Sequence, residues 1–92
     1  MNRPLHELQL RAGVLTQVSG EFQQELINIA REKSPSSAFD LASIAARKHG
    51  LDGMQTIGIA KATRWLAVIR RDHGDNIFNE AVRTLTTTTP TR

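Results

Sequence analysis

Apolar positions recur along this chain at intervals of three and four, the spacing that keeps side chains on one face of an α-helix. Leu5, Leu8 and Ala12 share such a stripe and predict a short helix after Pro4, a residue tolerated at a helix start, with Gly13 interrupting it. The segment from Ser19 to Lys33 is the clearest case in the N-terminal half. Phe22, Leu26, Ile29 and Ala30 form its stripe, Ser19 stands as N-cap, and Glu21 lies in the first turn, where a negative charge meets the positive end of the helix dipole. Ser34-Pro35-Ser36-Ser37 reads as a break, because the residue before a proline is pushed out of the helical region. With Ser37 as the cap, Asp40 takes the third helical position, and Leu41, Ile44 and Ala45 are expected to face inward. Arg47-Lys48-His49 closes that helix, with Gly50 just beyond.

After a turn at Leu51-Asp52-Gly53, a long segment runs from Met54 or Thr56 to His73. Ile57, Gly58 and Ile59 include two β-branched residues and a glycine, which makes Ala60 an alternative start. Gly74 ends this segment, and Asp75 or Asn76 caps a last helix with Ile77, Phe78, Ala81, Val82 and Leu85 on its buried stripe. No repeat is visible, and no segment outside the C-terminal threonine run suggests the alternation of a strand. The expectation is an all-α protein, a compact bundle of four to five short helices with a helix-turn-helix-like C-terminal half. Residues 1–85 form its single domain, and 86–92 are a disordered threonine-rich tail.

Composition removes classes of function. Ninety-two residues suffice for one domain with a modest core. No run approaches the roughly 18 apolar residues of a membrane span, and Met1-Asn2-Arg3-Pro4 lacks the pattern of a signal peptide. A cytoplasmic protein with no membrane partner is therefore expected. Cysteine is absent, and His6, His49 and His73 sit in separate segments, so neither a metal nor a cofactor is anticipated. With no phosphate-cradling glycine loop and no nucleophile elbow, the chain does not read as an enzyme.

Charge changes the picture through its distribution. Residues 1–40 carry four basic and five acidic side chains, a net of −1, whereas 41–92 carry eight basic and four acidic, a net of +4. Such asymmetry points to a polyanionic partner on the C-terminal half. On a helical wheel the segment around Ile59 to Arg71 places Trp65, Ile69, Ala62, Leu66 and Ile59 on a core face, which makes Trp65 a packing residue rather than a base-stacking one. The opposite arc holds Ala60, Thr63, Arg64, Ala67 and Arg71, and small residues between arginines suit close approach to a groove.

The string Gly58-Ile59-Ala60-Lys61-Ala62-Thr63, with an apolar stripe and Gly74 after it, resembles the turn and recognition-helix start of winged-helix repressors of the isocitrate-lyase-regulator type. The resemblance covers residues 58–74. It implies a turn at Gly58 and a recognition helix behind it, and since no pair of strands follows for a wing, a plain helix-turn-helix is the form expected.

The first functional expectation is a small DNA-binding regulatory protein of phage, plasmid or bacterial-operon kind, working as a homodimer. Lys61, Thr63, Arg64, Arg70, Arg71, Arg47 and Lys48 are its nucleic-acid-binding candidates, and Phe22, Leu26 and Ile29 its dimer or partner interface. The rival expectation is a helical protein-interaction module, such as an accessory protein, assembly factor or inhibitor, whose basic half docks on an acidic protein surface.

Overall fold

Ser19 and Ser34 open the first two helices in the same way. Each holds an extended backbone, ψ near 160°, and offers its side-chain oxygen to an amide three residues on: Phe22 N donates to Ser19 Oγ at 3.2 Å, and Ser37 N to Ser34 Oγ at 3.4 Å. The cap of the second helix is thus Ser34 rather than the expected Ser37. Proline fixes the reason: Pro35 suits the first helical position, so the residue before it becomes the cap.

The computed structural model describes residues 13–88. A 3-10 turn, Gly13–Gln17, precedes three α-helices, α1 (Gly20–Glu32), α2 (Pro35–Lys48) and α3 (Gly53–Thr88), and no strand occurs among the described residues. The helix expected after Pro4 lies outside them. Among the described residues there are three helices, one fewer than expected there, because the two C-terminal segments run on as one helix broken only at Gly74, whose φ of 90° and ψ of 174° are open to glycine and to little else. That helix also continues to Thr88, past the expected limit at residue 85, and Thr86 Oγ1 donates to the Arg83 carbonyl within it.

The start of α3 is set by a reciprocal pair. Gln55 N donates to Asp52 Oδ1 at 2.8 Å and Asp52 N donates to Gln55 Oε1 at 3.1 Å, a capping box that holds the first turn despite Ile57, Gly58 and Ile59. Just before it, α2 ends in a Schellman turn, with Leu51 N donating to the Ala46 carbonyl and Gly50 N to that of Arg47. Gly50 has φ 82°, which requires glycine at this position.

α3 is the hub of the core and meets α2 most extensively. The two run antiparallel along their length. Arg64 sits over the Phe39 ring at 5.1 Å near the middle, and Ser34 and Pro35 share a groove with Arg71 at the far end. The seam consists of small residues. Ala38, Ala42, Ala45 and Ala46 are the buried residues of α2, while Ala60, Thr63 and Ala67 are buried on the Arg64 side of α3. Leu41 and Ile44, expected inside, are instead 37% and 54% exposed, because helices that approach over alanine turn their larger side chains outward. α1 packs with conventional bulk through Phe22, Leu26, Ile27 and Ala30. Gln23 ties it to the 3-10 turn by donating to the Leu15 carbonyl at 2.8 Å. No helix among the described residues is long and apolar enough to cross a membrane.

Candidate nucleic-acid interface

Burial sorts the basic candidates. On the α3 wheel, Ile57, Lys61, Arg64, Val68 and Arg71 fall within an arc of about 80° facing away from the core. Lys61, Arg64 and Arg71 are all exposed. Arg47 projects from the adjoining outer flank of α2, opposite its buried alanines. These four cations therefore occupy one face of the α2–α3 hairpin. Between the helices this face carries a shallow groove of about 630 Å³, lined by Ser36, Phe39, Asp40, Arg64, Val68 and Arg71 among others.

Within the groove Arg64 lies over Phe39, which orders the guanidinium at the rim while leaving its edge free. Arg71 Nε donates to Asp72 Oδ1 at 2.9 Å. That hydrogen bond, aided by the attraction between the charges, raises the Arg71 pKa and holds the Asp72 carboxyl below its ordinary value. Both groups are exposed, so the pair is open to competition from a stronger anion.

Three candidates lie elsewhere. Thr63 is fully buried and its Oγ1 donates to the Ile59 carbonyl at 2.9 Å, so it takes no part in the outer surface. Ala60 and Ala67 are buried with it. The expectation of a single core stripe on this helix failed because α3 packs on two sides, against α1 and against α2. Arg70 points inward: its Nε donates to the Ala30 carbonyl at 3.1 Å and its Nη2 to that of Lys33 at 2.9 Å, closing the C-terminal end of α1, where a cation also meets the negative end of the dipole. Lys48 is exposed but shares the other flank of α2 with Leu41 and Ile44.

The turn implied at Gly58 is not there, since Gly58 lies inside α3, and the link between the two helices is at residues 49–52. Residues 49–52 join α2 and α3 as an antiparallel pair. Phe22 and Leu26, expected at an interface, belong to the core at 3% and 0% exposure, and Ile29 packs against it half-buried. The exposed large apolar residues among those described are Leu41, Ile44, Met54 and Ile57. His49 is also committed within the fold, stacked on Phe22 at 4.0 Å with its Nε2 3.4 Å from Glu25 Oε1. A signal for the true start of α3 was present in Asp52-Gly53-Met54-Gln55, and it gives Met54 and Ile57 their places on the outer surface. No protein-family model, curated protein or solved structure matches this chain.

Proposed function

We propose that this chain is a small DNA-binding regulatory protein that holds its target through the outer face of the α2–α3 hairpin. One observation carries the reading: Arg47, Lys61, Arg64 and Arg71 gather on that face and outnumber its two carboxylates, Asp40 and Asp72, while Glu21, Glu25 and Glu32 belong to α1. Long-range attraction for a polyanion follows from such a separation, and guanidinium groups at a groove rim suit phosphate oxygens. The test is fluorescence anisotropy with a random-sequence duplex at several salt concentrations, comparing the wild type with the Arg64→Ala, Arg71→Ala double variant. Steeply salt-dependent binding that the double variant loses is expected. Absence of binding by the wild type at low salt overturns the reading.

A second reading, a protein-interaction module, is favoured by the 87% exposure of Met54 and the 51% exposure of Ile57 at the start of the same helix. It requires a stoichiometric complex with an acidic protein that Met54→Ser, Ile57→Ser weakens, together with no retention on DNA.

A further inference from the structure

Resting on the DNA-binding reading, we infer that the partner is a double helix held by its phosphates alone, without regard to base sequence. Three observations lead there.

The first is width. A major groove about 12 Å across admits one α-helix, whose own diameter with side chains is about 10–12 Å. α3 does not stand clear of the fold. α2 lies alongside it from the Gly50 turn to the groove shared by Pro35 and Arg71, so the approaching surface is two helices wide. Such a surface spans phosphates across a groove rather than entering it.

The second is chemistry. Reading a base edge calls for amides, hydroxyls or arginines delivered to the groove floor. Thr63 is enclosed, and the hydroxyl and the arginine left exposed on this face without a ring or a carboxylate against them, Ser36 and Arg47, stand on α2 rather than on α3. Arg64 is drawn back over Phe39 and Arg71 leans on Asp72, both at the rim. Apolar side chains, Ile57 and Val68, fill the places between the cations.

The third concerns single strands, which need aromatic platforms for unpaired bases. The chain has three phenylalanines, one tryptophan and no tyrosine. Phe22 and Phe78 are buried, Phe39 is covered by Arg64, and Trp65 is half-buried against the core. No aromatic ring is left to stack on a base.

Four cations on one face set the size of the effect. A logarithmic plot of affinity against salt should have a slope of about −3.6, and Lys61→Ala should reduce its magnitude by about 1. The experiment measures anisotropy with three 20-base-pair duplexes of unrelated sequence and with one of their strands alone. The expected result is Kd values within about threefold across the duplexes, the common slope, and weaker binding of the single strand. A duplex bound more than tenfold tighter than the others, or a single strand preferred over its duplex, overturns the inference while leaving DNA binding intact. If nothing binds at low salt, the DNA-binding reading fails and this inference with it.

Discussion

α1 and α2 are neighbours of almost equal length that obey opposite packing rules. α1 buries its large residues, Phe22, Leu26 and Ile27, and leaves Glu21, Gln24, Glu25 and Asn28 outside. α2 buries four alanines and leaves Leu41 and Ile44 in solvent. What differs is the size of the side chains that fill the seam. Alanine on one side and Ala60, Thr63 and Ala67 on the other are small enough to permit close approach, in which dispersion recovers what small side chains lack in area. The contrast teaches that side-chain size does not mark the inward face where a seam is filled by small residues.

Substitutions can break or sharpen this contrast. The largest effect is expected from Leu26→Ala in α1, which opens a cavity at a fully buried site and should cost about 2–5 kcal/mol in urea unfolding. Ala67→Leu makes the opposite change in the seam. It forces the two helices apart and should cost about 1–3 kcal/mol, and a stabilised variant would show that the seam is not tight. Arg70→Ala removes the hydrogen bonds to the Ala30 carbonyl of α1 and to that of Lys33, which caps it, for an expected loss of about 1–2 kcal/mol. Arg70→Lys should restore only part of this, since a lysine lacks the planar fork that reaches both oxygens. Smallest is Ile44→Ala, a large apolar deletion in α2 that should leave the midpoint of thermal unfolding within the equivalent of about 0.5 kcal/mol.

The same contrast governs what could be read from the sequence. α1 was legible because Phe22, Leu26 and Ala30 mark its buried face and Ser19 its cap. α2 misled because the inward stripe is written in alanine, so Leu41 and Ile44 stood out as the apolar positions. Low helix propensity at Ile57, Gly58 and Ile59 offered Ala60 as a later start, and the resemblance put a turn at Gly58, but the Asp52–Gln55 capping box and the packing of Ile59 and Ala60 outweigh both. The basic candidates were all visible as charges, yet their directions depend on how many sides of α3 are packed. Arg70 in particular acts on carbonyls 37 and 40 residues away, a pairing no local pattern records.

The central claim is that location, and not net charge, makes the α2–α3 face a polyanion site. It is tested most directly by two double variants that each remove two positive charges. Lys61→Ala, Arg64→Ala alters the proposed face, and Lys33→Ala, Lys48→Ala alters exposed positions away from it. Anisotropy with one duplex at fixed low salt should show at least a tenfold loss of affinity for the first and less than about a threefold loss for the second. Equal losses in both would contradict the account, because attraction would then belong to the charge of the whole molecule.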